Sequence, residues 1–371
     1  MNFHSIQWFD NLALIFMGLS LTLNALVAYA WHKKLYRKFN LKTYQAIQRI
    51  HLNEIPRLGG LIFIVSLLGY VIYSEPTENI LILKLILFSL IPVIIFGLKE
   101  DFFHNVDPAI RLISLFFVAW IFRAIFTGPL PNLSEIPFIA KLILLPGGVG
   151  AFYILSITSI ANGMNLIDGV NGLCGAVALS IFVALLFLCY KTGDTVMLSL
   201  ISNLIILFIP FMVINYPKGL IFLGDLGAYS LGLITSMITI ILFGRHPELS
   251  PWGAVLILIF PVIEVLFSVF RRIAAGVSIS SPDTNHLHLK LFNFLRLQHA
   301  TKKVANTLVT PILTMFWLFP VIAISWSYQK QILILICIVA FIIFYVTAYL
   351  MIDYFQKIKI NKNSSNHYLK K

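Results

Sequence analysis

Residues 162–190 read NGMNLIDGVNGLCGAVALSIFVALLFLCY, and this stretch decides the fold. Its second part, Leu173–Tyr190, is an apolar run of the length that crosses the hydrocarbon core of a membrane, roughly 17–25 residues. Its first part, Asn162–Gly172, places four small polar side chains and three glycines between that run and another apolar segment. Polar groups beside hydrocarbon are costly, so we expect this break to line a wet, ligand-binding surface rather than to serve as a plain connector.

The whole chain shares this apolar character. Of its 371 residues, 59% are hydrophobic and only 11% are charged, and the mean hydropathy is +0.91. This composition is typical of polytopic membrane proteins, although the length alone would suggest two or three soluble domains. Apolar runs of spanning length predict eleven transmembrane helices. They are Phe9–Trp31, Leu58–Tyr73, Ile80–Gly97, Ala109–Thr127, Phe138–Ala161, Leu173–Tyr190, Thr195–Ile214, Leu226–Phe243, Trp252–Phe270, Asn306–Trp326 and Ile332–Asp353.

Lys and Arg residues are distributed unevenly among the loops between these runs. If the N-terminus lies outside, most of the 27 Lys and Arg residues fall in inner loops or in the C-terminal tail, as the positive-inside rule expects. The sequence therefore predicts an all-α polytopic membrane protein with an outer N-terminus and a cytoplasmic C-terminus. We expect a single integral-membrane domain over residues 1–356 and a basic cytoplasmic tail over residues 357–371. The net charge of +12 then reflects topology, and its spread over several short loops excludes a nucleic-acid partner.

Acidic residues gather at the same inner face, and the positive-inside rule gives no reason for that. Glu100 and Asp101 follow the third predicted span. Adjacent carboxylates repel each other unless a cation lies between them or one of them binds a proton. The pair is therefore a candidate cation or proton site, and a hydrated loop end is the alternative.

The polar break places Asn162, Asn165, Asp168 and Asn171 at three-residue intervals. In a helix this spacing brings neighbouring side chains onto one face, whereas the intervening glycines favour an irregular turn. Either geometry offers oxygen ligands. The alternative is a helix cap, with Asp168 or Asn171 at the start of the sixth span.

Two further polar groups lie at the inner ends of later spans. Gly224 and Asp225 open the eighth span, where glycine allows a close backbone approach to a phosphate and Asp225 suits a metal ion. A helix cap is again the alternative.

The last group contains Arg271 and Arg272, followed by Asp283, His286 and His288. The two His residues lack the partners that a zinc site needs at its usual spacing, so a polyphosphate is the better ligand. The two Arg residues alone could be plain positive-inside anchors.

Together, the four groups combine carboxylates and amides suited to Mg²⁺ with Arg and His suited to phosphate oxygens. This combination is typical of phosphoryl transfer, in which metal ions and cationic groups offset the charge of the transition state. A transporter would carry more ionisable residues near the middle of the membrane, where Glu264 is the main example here. An enzyme is the better interpretation.

In order and spacing, these groups resemble the polyprenyl-phosphate N-acetylhexosamine-1-phosphate transferase superfamily, glycosyltransferase family 4. This superfamily includes the WecA, WbpL and TagO branch and the related MraY enzymes. The resemblance covers about two thirds of the chain. Its five elements are Pro56–Gly60, Glu100–Asp101, Asn162–Gly172, Phe222–Gly227 and Ser281–His288.

The resemblance implies transfer of an N-acetylhexosamine-1-phosphate, by default GlcNAc-1-phosphate, from a UDP-sugar to undecaprenyl phosphate with release of UMP. This reaction would start O-antigen or another surface polysaccharide at the inner face of the bacterial plasma membrane. It implies Mg²⁺ as cofactor, with Mn²⁺ as the alternative ion, and leaves a homodimer open. The implied catalytic residues are Asp101, Glu100 and Asp168; the metal ligands are Asp225 and Asn165; the substrate-binding residues are Asn162, Asn171, Arg272, Asp283, His286, His288 and Gly224.

The chain departs from the family pattern at four positions. Glu100 and Asn171 stand where the family usually has Asp, Thr284 stands where WecA-type enzymes usually have Arg, and Leu289 replaces a third His. These changes leave the phosphate chemistry intact and the identity of the sugar open. The alternatives are an MraY-type transfer of phospho-MurNAc-pentapeptide, which the missing triple-His run disfavours, and a non-catalytic lipid transporter or scaffold of the same fold.

Overall fold

The computed structural model describes residues 11–33, 55–278 and 283–368. Within these ranges the chain forms sixteen α-helices and a short 3-10 turn at Leu133–Glu135, and no strand occurs there. The helices are α1 Asn11–His32, α2 Gly59–Tyr73, α3 Glu78–Ser89, α4 Ile91–Phe103, α5 Pro108–Ile125, α6 Pro137–Ile143, α7 Gly148–Ile167, α8 Leu173–Thr192, α9 Thr195–Asn215, α10 Gly224–Arg245, α11 Pro251–Ile257, α12 Ile259–Ala274, α13 Leu287–Leu297, α14 Lys302–Ile312, α15 Thr314–Ser327 and α16 Gln331–Tyr368.

Each of the eleven predicted apolar segments overlaps one helix or two consecutive helices. In the described part of the chain, 8 helical segments are long and apolar enough to cross a membrane, and two bent pairs raise that number to 10. The remaining prediction corresponds to α2, an apolar helix of 15 residues. The all-α, multi-pass class predicted from the sequence is confirmed. Much of the first predicted inner loop, residues 34–54, lies outside the described residues.

Two spans are broken by a sharp bend. Helices α3 and α4 meet at 54°, and helices α11 and α12 meet at 75°. Pro92 and Pro261 each lie just after the break, where the missing N–H of proline and its fixed φ interrupt the preceding helix and suit the start of a new one.

The fifth predicted span, Phe138–Ala161, differs from the structure. The apolar run divides into α6 and α7 around Gly147, which has a φ of 77°. Helix α7 therefore starts later than predicted and continues to Ile167, so that Asn162 and Asn165 lie in its last turns. Only the part from Asp168 to Gly172 forms a turn, so the polar break combines both geometries that its sequence allows.

Helix α10 lies at the centre of the bundle, and its membrane-spanning window is 100% buried. Glycines allow its neighbours to approach closely: a Cβ at Gly60 of α2 would lie 2.3 Å from the Cα of Gly227, and a Cβ at Gly232 would lie 2.5 Å from the Cα of Ala161. Small residues at helix crossings are typical of membrane bundles. The buried helix α10 carries Asp225 in its first turn.

Helix α16 continues past the predicted start of the tail at residue 357 and remains helical to Tyr368. Its contact with α13 includes an ion pair between Lys290 and Asp353, and the side-chain amide of Gln356 donates to the carbonyl of Lys290 at 2.5 Å. The last span therefore extends as a helix that supports α13.

Candidate active site

Asp101, in the last turn of α4, caps the N-terminal end of α10. Its two carboxylate oxygens accept the backbone N–H of Asp225 at 2.7 Å and that of Leu226 at 3.0 Å. These are two of the N–H groups that the first turn of a helix leaves without a partner. The Asp101 side chain is only 1% exposed. The geometry gives Asp101 a capping role, and its implied catalytic role stays a prediction.

Gly224 makes this cap sterically feasible. Its φ of 73° lies in the left-handed region, and a Cβ at this position would lie 2.4 Å from Oδ1 of Asp101. Only glycine adopts this conformation at little cost and leaves room for the carboxylate. The glycine that the sequence assigns to substrate binding thus accommodates Asp101.

The carboxylate of Asp225 contacts two guanidinium groups. Its Oδ1 accepts from Nη2 of Arg57 at 2.9 Å, and its Oδ2 accepts from Nη1 of Arg111. The same cations lie near the acidic pair, with Arg57 Nε 3.6 Å from Asp101 Oδ1 and Arg111 Nη1 3.9 Å from Glu100 Oε1. Three carboxylates and two guanidiniums therefore meet at one end of α10.

Neither Arg57 nor Arg111 is among the site residues predicted from the sequence. Arg57 lies within the Pro56–Gly60 element of the resemblance, which contributed no residue to the predicted site. Arg111 lies in the first turns of α5, where positive-inside anchoring gives a sufficient explanation. The position of Arg57 two residues before Gly59 and Gly60 could have marked it as a site residue. The local sequence gives no comparable reason to select Arg111.

Backbone hydrogen bonds fix the position of Arg57. The N–H of Phe222 donates to the carbonyl of Pro56 at 2.9 Å, and the N–H groups of Gly59 and Gly60 donate to the carbonyls of Phe222 and Leu223 at 2.9 and 3.0 Å. The segment that carries Arg57 is therefore joined directly to the segment that leads into Asp225.

Helix caps fix the start of α5. Asp107 accepts the N–H of Ala109 at 2.7 Å and so caps the helix that bears Arg111. Glu100 accepts the N–H of Val106 at 2.9 Å, which holds the loop between α4 and α5. Glu100 is thus engaged by the backbone of its own loop, and its implied catalytic role also stays a prediction.

Helix α7 brings the polar break against this cluster. Asn165, in the last turn of α7, lies near the carboxylate of Asp225. Asn162 lies about one turn earlier on the same helix and is half-buried. Asn165 and Asp225 therefore lie at the same end of the bundle, and their implied role as metal ligands stays a prediction.

Asp168 follows the end of α7 and is half-buried. In the described ranges no hydrogen bond or ion pair engages its carboxylate. Burial raises its pKa to about 7, while the charge of Arg57 opposes this shift and that of Asp225 adds to it. Asp168 is therefore a carboxylate near a cationic cluster without a direct partner of its own.

Asn171 is predicted to bind substrate, but its amide already has protein partners. The side chain is buried, its Nδ2 donates to the carbonyl of Pro217 at 2.9 Å, and its Oδ1 accepts from Nδ2 of Asn306 at 3.0 Å. Both polar ends of the amide are therefore engaged by the protein itself, and the implied substrate-binding role of Asn171 stays a prediction.

Asp283 organises the loop that leads into α13. It accepts from Ser268 Oγ at 2.6 Å and from the N–H of Asn285 at 2.9 Å, contacts Arg271, and lies 3.6 Å from Arg272 Nε. Burial alone would raise its pKa, but the hydrogen bonds from Ser268 and Asn285 and the nearby positive charges lower the pKa below its usual range. Asp283 and Arg272 are therefore paired with each other. Ser281 and Pro282 lie outside the described residues.

His286 and His288 are buried side by side, with ring centroids 5.9 Å apart. His286 Nδ1 lies 3.3 Å from Oε2 of Glu264, a residue of α12 that the sequence did not assign to the site. Among the described residues, His286 Nε2, both ring nitrogens of His288 and Glu264 Oε1 are buried and have no hydrogen-bond partner, and the nearest carboxylate oxygen to His286 Nε2 is Asp283 Oδ2 at 3.7 Å. Buried polar atoms normally have a hydrogen-bond partner, so these atoms offer contacts to a polar ligand.

His288 links this group to the polar break. A Cβ at Gly169 would lie 2.7 Å from His288 Nε2, so the ring packs directly on the turn that follows Asp168. Burial lowers the pKa of His288 to about 4, which keeps the ring neutral near pH 7. Leu289, where the family pattern has a third His, is buried beside the same glycine, and Thr284 is exposed.

The donor set fits a magnesium ion that shares its ligands with a phosphate. Among the described residues, no group of three or more His, Cys, Asp and Glu side chains is arranged to hold a metal alone. Mg²⁺ is usually held by one or two carboxylates together with substrate phosphates. Asp225 and Asn165 supply oxygens, and the unpartnered carboxylate of Asp168 lies close to them. Each oxygen of Asp225 is now held by an Arg, so metal binding requires one guanidinium to move.

The part of the chain that carries this site is similar to known proteins. The family model "Glycosyl transferase family 4" matches residues 83–243, which include the acidic pair, the polar break and Asp225. A probable undecaprenyl-phosphate N-acetylglucosaminyl 1-phosphate transferase of Bacillus subtilis (strain 168) is 26% identical over 250 residues, covering 67% of this chain and 68% of the relative.

Two further relatives have related names. A phospho-N-acetylmuramoyl-pentapeptide-transferase of Levilactobacillus brevis is 24% identical, covering 63% of this chain and 76% of the relative. A decaprenyl-phosphate N-acetylglucosaminephosphotransferase of Mycobacterium tuberculosis is 24% identical and covers 70% of each chain. The resemblance found in the sequence motifs is therefore confirmed: this chain is similar to the polyprenyl-phosphate N-acetylhexosamine-1-phosphate transferases.

Proposed function

We propose that this chain transfers an N-acetylhexosamine-1-phosphate, by default GlcNAc-1-phosphate, from a UDP-sugar to undecaprenyl phosphate. The products are UMP and undecaprenyl-diphospho-sugar, the first lipid intermediate of O antigen or another surface polysaccharide. The observation that carries the proposal is the meeting of Arg57, Arg111, Asp225 and Asp168 at one end of α10. The names of the relatives support a polyprenyl phosphate as acceptor and N-acetylglucosamine as the transferred sugar.

The reaction needs positioning and charge neutralisation more than proton transfer. An oxygen of the lipid phosphate attacks the β-phosphorus of the UDP-sugar, a new P–O bond forms, and the bond from the β-phosphorus to the bridging oxygen breaks as UMP leaves. A phosphate monoester is largely ionised at neutral pH, so the nucleophile is available without a strong base. Arg57 and Arg111 supply guanidinium groups that suit phosphate oxygens.

Asp225 and Asn165 would hold Mg²⁺, with Asp168 nearby. When bound, the ion would neutralise charge on the diphosphate during transfer. Without a bound ion, Asp225 keeps Arg57 and Arg111 close together, and one of the two guanidiniums would move when the ion binds. Asp101 would act indirectly by fixing the first turn of α10 beneath Asp225. Asp283 would hold Arg272 beside the buried His286 and His288, which offer contacts to the sugar or the diphosphate.

We propose that the site end of the bundle faces the cytoplasm of a bacterial cell and that the chain resides in the plasma membrane. The loops at this end carry most of the Lys and Arg residues, which is the bias expected of a cytoplasmic face. The proposal takes the UDP-sugar from the cytoplasm, so the donor and the site would lie on the same side of the membrane.

Transfer of phospho-MurNAc-pentapeptide is the second candidate, because the Levilactobacillus brevis relative has that name. The loop with His286 and His288 disfavours it, since Leu289 stands where the triple-His run of MraY-type enzymes would continue. A donor panel separates the two reactions.

The test uses the full chain, purified and reconstituted with undecaprenyl phosphate, Mg²⁺ and a panel of UDP-N-acetylhexosamines and UDP-MurNAc-pentapeptide. UMP release and the lipid product are measured together. We expect turnover with at least one UDP-N-acetylhexosamine and none with UDP-MurNAc-pentapeptide. Asp225→Asn should abolish turnover, whereas the control Glu248→Gln, an exposed position at the opposite end of the bundle, should leave it unchanged. Absence of UMP release with every donor would overturn the proposal.

A further inference from the structure

Helix α14 holds the turn that follows Asp168. The backbone N–H of Asn171 donates to Oδ1 of Asn306 at 2.9 Å, and Nδ2 of Asn306 returns a hydrogen bond to Oδ1 of Asn171 at 3.0 Å. One helical turn later, the hydroxyl of Thr310 donates to the carbonyl of Asn171 at 2.6 Å. Asn306 and Thr310 lie four residues apart, so both side chains project from one face of α14.

These three bonds are buried. Asn171, Asn306 and Thr310 are each at most 5% exposed. Water does not compete for the polar groups, and loss of one partner would leave a buried donor or acceptor unsatisfied. The contact joins parts of the chain that are 135 and 139 residues apart in sequence. It is therefore a specific tertiary contact between α14 and the turn.

A second set of hydrogen bonds holds the other side of the turn. The N–H of Gly172 donates to Oδ1 of Asn215 at 2.7 Å, and Asn171 Nδ2 donates to the carbonyl of Pro217. The backbone at positions 171 and 172 thus has little freedom. The carboxylate of Asp168, by contrast, accepts no hydrogen bond in the described part of the chain, so its position depends on the backbone of the turn and of the end of α7, where its N–H donates to the carbonyl of Asn165 at 3.2 Å.

We propose that Asn306 and Thr310 are positioning residues for Asp168. They face the turn and not the cluster around Asp225, so they act through the backbone of Asn171. This inference rests on the proposed function, because Asp168 matters to turnover only if the site transfers a phosphate-linked sugar. A displacement of about 1 Å in a reacting group can lower a rate roughly 100-fold, so the support of this turn is expected to affect turnover.

Asn171 is the matching half of this contact. Its amide accepts from Asn306 through oxygen and donates to Pro217 through nitrogen, which a carboxylate cannot do. An ionised Asp at position 171 would direct an oxygen toward the carbonyl of Pro217. The Asn that departs from the family pattern therefore suits the Asn306 that faces it in this chain.

The first experiment compares kinetics of Asn306→Ala, Thr310→Val and Thr310→Ser with the unsubstituted chain in the reconstituted assay. We expect kcat to fall about tenfold or more for Asn306→Ala and Thr310→Val, with KM for either substrate changed less than about threefold, because the rate depends on geometry. Thr310→Ser retains the hydroxyl and should stay within about twofold of the unsubstituted chain. Thr301→Ala, which removes the cap of the same helix without touching the turn, is the control and should keep its kcat.

The second experiment does not depend on activity. Hydrogen–deuterium exchange of the backbone amides at 169–172 should be faster in Asn306→Ala than in the unsubstituted chain, because the N–H of Asn171 loses its acceptor. Thr301→Ala should leave this exchange unchanged. Unchanged exchange in Asn306→Ala, or an unchanged kcat for both Asn306→Ala and Thr310→Val, overturns the positioning role. Lack of activity in the unsubstituted chain instead counts against the proposed function, and the exchange result still decides the contact.

Discussion

The carboxylate of Asp101 occupies the space that a side chain at Gly224 would fill. The two residues are 123 positions apart, yet an ideal Cβ at Gly224 would lie 2.4 Å from Oδ1 and 2.5 Å from Oδ2 of Asp101. The first turn of α10 therefore packs against the carboxylate of Asp101, which belongs to α4. Asp225 follows immediately, so the site depends on this fit.

Gly224→Ala is expected to disrupt both the cap and the site. The substitution combines a strained positive φ with a steric clash, at a cost of roughly 1–3 kcal/mol or more. Gly193→Ala is a matched control, because Gly193 also has a positive φ of 74° but nothing lies within 4 Å of its Cβ position. Thermal unfolding in detergent should show a clearly larger loss for Gly224→Ala, together with loss of turnover. Equal losses would show that the contact with Asp101 contributes nothing.

Arg57→Lys should reduce turnover although the charge is retained. Lysine lacks the planar fork through which Arg57 reaches both Asp225 and Asp101. A hydrogen bond to a charged group is worth roughly 1.5–3 kcal/mol, and about 1.4 kcal/mol corresponds to tenfold in rate. Steady-state kinetics should therefore show a decrease of about tenfold or more. Arg123→Lys, at the opposite end of α5, should behave like the unsubstituted chain.

Asp168→Asn should stabilise the fold while it removes activity. The pKa of Asp168 is about 7 in the folded chain, against about 3.9 in an unfolded one. A raised pKa means that the neutral form is favoured in the fold, so its contribution to stability is full below pH 4 and is lost as the pH rises through 7. In the presence of a chelator, the Tm of Asp168→Asn should exceed that of the unsubstituted chain at pH 8. The difference should shrink at pH 5, and a pH-independent difference would contradict this explanation.

The opposite end of the bundle should show the reverse pH dependence. Burial would raise the pKa of Asp194, but hydrogen bonds from Arg245, from the N–H of Met197 and from His246 lower it below its usual value. A depressed pKa gives stability that is present above the unfolded-state value of about 3.9 and is lost as the pH falls through the folded value. Asp194→Asn should therefore lower the Tm at pH 7 and have a smaller effect near pH 3, as followed by thermal unfolding across that range.

The sequence predicted the helices because membrane spans are determined by local apolar runs. The break at Gly147 and the bend before Pro261 were not located, since a run of apolar residues looks the same whether its helix is straight or bent. The polar break was also predictable, because its polar residues and glycines interrupt an apolar run locally. Its division into a helical part and a turn depends on where α7 starts, which composition does not reveal.

Long-range contacts explain what the sequence left out of the site. Arg57 lies 168 residues from Asp225, and Arg111 lies 114 residues from it. In the sequence, each of them resembles the other Lys and Arg residues of the predicted inner loops. Asn306 lies at the start of a predicted span and carries no charge. Such residues become part of a site only through the packing of helices around α10.

Helix α10 is held by ion pairs at both ends. At one end Asp225 contacts Arg57 and Arg111, and at the other Arg245 contacts Asp194 and Glu78. A helix fixed in this way cannot slide or rotate about its axis without breaking charged contacts that it shares with its neighbours. We therefore expect the helices around α10, and not α10 itself, to make room for the two substrates of the proposed reaction. Helix α10 would then serve as the fixed reference against which both substrates are aligned.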